Sequence, residues 1–160
     1  MPKTTTAYVR NIIRRGLIEL VDPSPDKDDV TLVWTHFDSS CAYCGRALRR
    51  DAREGRIDHS RASSQGGPNA IGNRVLACGP CNDDEKLDQH WESFLRVKVE
   101  ADDVFEARRK RILEWQTRNP LADETRHQEL TSAAMQKAAE VIKVFDEKVR
   151  ELGLLMRETR

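Results

Sequence analysis

Tyr8, Ile12, Ile13, Leu17 and Leu20 recur at helical spacing within residues 4–20, which predicts an amphipathic first helix. The stretch that follows, VDPSPDKDD, has two prolines and a string of acids and reads as a loop ending in a helix N-cap region. Leu32, Val33, Trp34 and Phe37 then make a short apolar segment, read as helix. After residue 40 the pattern changes. Glycines at 45, 55, 66, 67, 72 and 79 punctuate strand-sized pieces such as RIDHS and NRVLAC, with loop between them. Helical spacing returns at Trp91, with Phe94, Leu95 and Val97, then Val104, Phe105, Ile112, Leu113 and Trp115, until RNPLAD interrupts it. In the last segment Leu130, Ala134, Ala138, Val141, Phe145, Val149 and Leu152 form one apolar stripe on a helix of about 30 residues. Packing on the N-terminal helices is the simpler use of that stripe. Self-association as a homodimer through this C-terminal helix is the alternative, because the stripe exceeds what a small cysteine-rich block can cover.

A chain of 160 residues is long enough for one domain with a real core, or for a small core with a helical appendage. Lys and Arg number 27 and so do Asp and Glu, so total charge gives no argument for a nucleic-acid partner. Its distribution is less even. Arg46, Arg49, Arg50, Arg53 and Arg56 stand against only Asp51 and Glu54, and residues 108–111 read RRKR, with acidic clusters at 22–29 and 83–92. A neutral total can hide a basic face, although solvated helix charge is the plainer reading of either cluster alone. No apolar run approaches the ~20 residues of a membrane span, and the N-terminal stretch lacks a signal-peptide core, so a cytoplasmic protein with no membrane partner is expected. Thiols stay reduced there, which favours metal ligation over disulfides for two C-x-x-C pairs.

Those pairs, Cys41 with Cys44 and Cys78 with Cys81, account for all four cysteines of the chain. Zinc takes four such ligands in a tetrahedron, and C-x-x-C lets two thiolates converge from one tight turn. The glycines of CAYCG and CGPC suit the backbone of such knuckles. Four thiolates close the coordination shell, so this zinc would be structural. A redox C-x-x-C would need only one pair and a βαβ setting that is not legible here. The interval between the pairs is longer than in a plain zinc ribbon and contains Asp58-His59. An imidazole is the natural general base near neutral pH and a carboxylate a natural ligand for a hard cation. On a strand the two side chains point to opposite faces unless the backbone bends. Taken alone, such a pair is more often a surface or satisfied-core feature.

The order and separation of CAYCG, IDHS, GGPNAIGN, NRVLAC and CN followed by DDEK change that weighting. This stretch resembles the HNH nuclease family, in the branch whose two C-x-x-C knuckles flank a ββα-metal finger. The resemblance covers about residues 32–96 and leaves the flanking helices unexplained. Together with the helices read above, it gives an expected α+β fold: a mostly helical chain with a small zinc-stapled ββα-metal finger at 32–96, which the resemblance implies, between an N-terminal helix and acidic loop at 1–31 and a helical extension at 97–160. It also implies roles. Asp58 and Asn82 would ligate a catalytic divalent cation, Mg2+ or Mn2+. His59 would be the general base and Asn73 would hold the histidine's backbone. Cys41, Cys44, Cys78 and Cys81 would bind structural Zn2+. The expected activity is hydrolysis of DNA phosphodiester bonds. Gly66 and Gly67 would let the inter-strand loop turn, and the arginines from Arg46 to Arg61 would face phosphate, with Arg74 or Lys86 as further phosphate contacts or solvated side chains. Asp83, Asp84 and Glu85 would either raise cation affinity or repel DNA. A catalytically silent zinc module that binds nucleic acid or protein is the rival reading, and an assembly protein built on the last helix is a third.

Overall fold

The computed structural model describes residues 4–121 and 123–158. The outermost residues of the two flanking regions, 1–3 and 159–160, and residue 122 lie outside the described residues. Helix α1 spans Thr6–Val21 and is capped by Thr5, whose hydroxyl accepts the Tyr8 amide at 3.2 Å. The acidic loop ends in a capping box: Asp26 accepts from the Asp28 and Asp29 amides, Asp29 reaches back to the Asp26 amide, and α2 (Lys27–His36) begins. Strands β1 (Gly55–His59) and β2 (Arg74–Cys78) form one antiparallel ladder, with Asp58 opposite Val75 and His59 opposite Arg74. A π-helical segment, Pro80–Lys86, leaves the second knuckle, and α3 (Trp91–Lys98), α4 (Asp102–Arg118) and α5 (Glu124–Glu158) follow.

The chain divides into two compact units, Ser24–Ala122 and a second made of Met1–Pro23 with Asp123–Arg160. The sequence boundaries at 31/32 and 96/97 both fall inside the first of these, which includes α2, α3 and α4.

In the Ser24–Ala122 unit a two-stranded ladder would be marginal alone. Every residue of β2 is buried, and Val33, Trp34 and Phe37 from α2, Trp91, Phe94 and Leu95 from α3, and Ile112 and Trp115 from α4 complete one core around it. In the other unit α1 and α5 run antiparallel, with Arg10 paired to Asp146 at 2.9 Å and Asp22 near His127 at 3.8 Å. Of the α5 stripe, Ala134 and Ala138 are buried, joined by Ile142, and Phe145 and Val149 are half-buried. Leu130, Val141 and Leu152 are exposed, as are Tyr8, Ile12 and Leu20 on α1, a helix without one buried residue.

Candidate functional site

The first knuckle docks on the ladder through the Ala42 amide, which donates to the Leu76 carbonyl at 2.7 Å. Gly45 takes φ +74° there, and a Cβ on it would meet the Arg108 guanidinium, which donates to the Tyr43 carbonyl at 2.6 Å. Gly79, the glycine of the second knuckle, has ordinary right-handed backbone angles and starts the π-helical turn instead. The four cysteine Sγ atoms all lie within 4.8 Å of one another, with Cys44 and Cys78 at 3.7 Å. A zinc tetrahedron with bonds of about 2.3 Å has S···S edges of about 3.8 Å. Burial pushes the Cys41 thiol up to about 11 and the Cys81 thiol higher still. Burial of Cys44 is outweighed by hydrogen bonds with the Arg46 backbone and the other three cysteines, so its thiol lies below the ordinary value, whereas Cys41 and Cys81 become thiolates only with a cation beside them. The four can hold one zinc ion.

Alternation along β1 sends Asp58 and His59 to opposite faces. Asp58 faces inward and is 9% exposed. Its Oδ2 accepts the Tyr43 hydroxyl at 2.9 Å and lies 3.3 Å from the Lys86 ammonium. Burial raises the Asp58 carboxyl above the usual range, and the Lys86 charge and Tyr43 hydroxyl oppose that. Lys86 is 1% exposed and also donates to the His59 carbonyl at 2.7 Å. It is therefore neither a solvated side chain nor a phosphate contact: the last turn of the π-helical segment carries it under the ladder, where two oxygens replace water around its charge.

His59 shares its face of the ladder with its cross-strand partner Arg74, which is buried as well. Arg74 Nη1 is 3.0 Å from His59 Nδ1, while His59 Nε2 is 3.0 Å from Asn69 Oδ1. The same guanidinium donates to the Asn69 carbonyl at 3.2 Å and to Asn69 Oδ1. Arg74 is thus committed to the imidazole rather than to solvent.

Asn73, 2% exposed, uses its whole side-chain amide. Oδ1 accepts the Ser60 hydroxyl at 2.7 Å and the Arg61 amide at 2.8 Å, and Nδ2 donates to the Arg61 and Pro68 carbonyls, both at 2.9 Å. Its own carbonyl accepts the Ser60 amide at 2.8 Å. All four side-chain hydrogen-bonding positions are filled, so the chain leaving His59 has one path. The loop it ties is tight: Gly66 has φ +74°, and a Cβ on Gly67 would stand 1.9 Å from the Arg61 carbonyl.

Asn82 follows Cys81 in the π-helical segment, is half-buried and donates to Asp83 Oδ1. No hydrogen bond joins it to Asp58 among the described residues. The acidic run is partly neutralised, Asp83 by Arg56 at 3.4 Å and Glu85 by Lys98. Part of the arginine lead-in is likewise engaged within the chain. Arg49 pairs with Glu54 at 3.5 Å, Arg50 lies over Trp34 and donates to Thr31, and Arg61 donates to the Gly66 carbonyl.

Helix α4 braces this assembly from outside the cysteine block. Besides Arg108, Trp115 Nε1 donates to the Ile71 carbonyl at 3.0 Å, and Gln116 donates to the Ser60 hydroxyl at 3.3 Å. Tyr43, Asn69 and Trp115 carry no role in the sequence reading. Only Tyr43 had a usable signal, because an inward tyrosine needs a partner for its hydroxyl and Asp58 is a nearby acceptor.

Residues 41–86 match the family model described as HNH endonuclease. No curated protein and no solved structure matches the chain. No helix among the described residues is long and apolar enough to cross a membrane.

Proposed function

We propose that the chain, whose residues 41–86 carry a nuclease-type HNH domain, is a metal-dependent endonuclease that hydrolyses DNA phosphodiester bonds. The observation that carries this reading is the pairing of His59, an imidazole fixed by side chains on two sides, with the inward carboxylate of Asp58 directly before it. His59 is the general base that takes a proton from the attacking water. Asn73 fixes the backbone on which that imidazole rides. Asp58 and Asn82 hold one Mg2+ or Mn2+, since a carboxylate and an amide carbonyl are the hard oxygen donors those ions prefer. Lys86 and Tyr43 both address Asp58 Oδ2, which leaves Oδ1 for the cation. When bound, the cation supplies Lewis-acid stabilisation of charge on the phosphoryl and leaving oxygens. The four cysteines hold zinc and keep a region near 32–96 rigid, between flanking parts at 1–31 and 97–160. Their need for reduced thiols supports a cytoplasmic setting.

One finger addresses one strand, so a monomer nicks and a homodimer would cut both strands. The exposed Tyr8, Ile12, Leu20, Val141 and Leu152 support self-association through the helical unit. The test is supercoiled plasmid incubated with zinc-loaded protein and Mg2+ or Mn2+. Wild type is expected to nick and His59→Ala to lose most of that activity. Equal nicking by both proteins, or by neither, sinks the reading, and in the latter case retained DNA binding would support the silent module instead.

A further inference from the structure

We propose that Asn69 and Arg74 are positioning residues for His59 that fix its tautomer, so that Nδ1 is the basic nitrogen and Nε2 carries the proton. The inference rests on His59 acting as the general base.

A guanidinium has five N–H donors and no acceptor. Arg74 Nη1 at 3.0 Å from Nδ1 can therefore only donate, and Nδ1 must present its lone pair. A neutral imidazole has one donor and one acceptor, so the proton sits on Nε2. Nε2 lies 3.0 Å from Asn69 Oδ1, an oxygen that also accepts from Arg74 Nη2 and has a lone pair for each donor. The reverse tautomer would set N–H against N–H at Arg74 and leave two acceptors facing each other at Asn69. Asn69 is in turn held by the bond from Arg74 Nε to its carbonyl at 3.2 Å. Arg74 is opposite His59 in the ladder and 7% exposed, with a further bond from Nη1 to the Ile57 carbonyl at 3.4 Å. The three side chains are thus bonded to one another, with Arg74 and His59 on the two paired strands.

Function follows from which nitrogen is left basic. Only a ring nitrogen with a lone pair can take a proton from water, so Asn69 makes Nδ1 the one that works. In the free protein Arg74 Nη1 occupies the place where that water must sit. The guanidinium keeps the lone pair directed until a phosphate diester, a stronger acceptor than a neutral imidazole, draws Nη1 to itself.

The test uses the full-length, zinc-loaded chain with 15N-labelled histidine. His59→Ala identifies the His59 signals among those of the four histidines. Wild type should give the pattern of an Nε2-protonated neutral ring. Asn69→Leu should give mixed tautomers and a fall in kcat of up to about 100-fold at little-changed KM, within what a general base contributes. Asn69→Asp, which keeps the acceptor oxygen, should restore both the tautomer and most of kcat. An Nδ1-protonated ring in the wild type overturns the proposal, as does Asn69→Leu with unchanged tautomer and kcat. If Asn69→Leu does not fold, the wild-type spectrum and the Asn69→Asp rates still decide. Failure of the underlying reading looks different: His59→Ala would then cut as well as wild type, whatever the tautomer.

Discussion

Lys86 shows how much a single side chain contributes beneath the site. It carries a full charge at 1% exposure, and its ammonium is shared between the Asp58 carboxylate and the His59 carbonyl. Removing one partner of a buried ion pair leaves the other uncompensated, so Lys86→Met is expected to lower stability by about 3–5 kcal/mol in urea unfolding. The loss should depend on pH. Burial already raises the Asp58 carboxyl, and without Lys86 it rises further. A carboxyl whose folded value lies above the unfolded value of about 3.9 binds more protons folded than unfolded, so stability falls as pH rises through that window. With the divalent cation withheld, the deficit of Lys86→Met should therefore be larger at pH 8 than at pH 5. Equal deficits would mean that Asp58 is neutral in the wild type. Asn73→Ala should cost at least about 2 kcal/mol, because two main-chain carbonyls, the Arg61 amide and the Ser60 hydroxyl lose buried partners together.

At the scale of elements, α4 lies outside the matched segment yet donates to Tyr43, Ile71 and Ser60 within it. Trp115→Phe removes one N–H and should cost about 1 kcal/mol, whereas Trp115→Ala also empties core volume and should cost about 3–5 kcal/mol. Both values can be read from chemical denaturation, and a similar loss for both would mean that the ring's packing matters little. The helices were legible because their apolar spacing is periodic, and the strands because glycines mark off strand-sized pieces in RIDHS and NRVLAC. The π-helical segment was not. Its wider turn leaves no compositional mark, and so the sequence placed Lys86 at the surface when the fold buries it. The bond from Arg74 to His59 was hidden for a related reason: a basic residue at that place reads as a phosphate contact or a solvated side chain, and only the strand register sets it against His59. The cluster of four cysteines was plain because C-x-x-C geometry is local. The support of His59 by Asn69 was hidden because it depends on how a glycine-rich loop folds back.

At the scale of the molecule, the Ser24–Ala122 unit is one uninterrupted stretch of chain with its own core and all four cysteines. A fragment of residues 24–122 should fold alone, bind about one zinc per chain and lose its cooperative thermal transition when the metal is stripped by a strong chelator. A fragment that is unfolded with zinc present would show that the helical unit is required for the core. For the full chain, a light-scattering mass of two chains at micromolar concentration supports the helix-mediated homodimer, and a mass of one chain returns the exposed residues of α1 and α5 to solvent.

The pairing of α1 with α5 joins segments 136 positions apart, as in the Arg10–Asp146 bond. During synthesis on the ribosome, α1 is made before the segment that separates the two helices, and α5 after it. The Ser24–Ala122 segment, with the four cysteines that can hold zinc, is complete before α5 is made. The α1–α5 pairing therefore cannot form until that whole segment has been made.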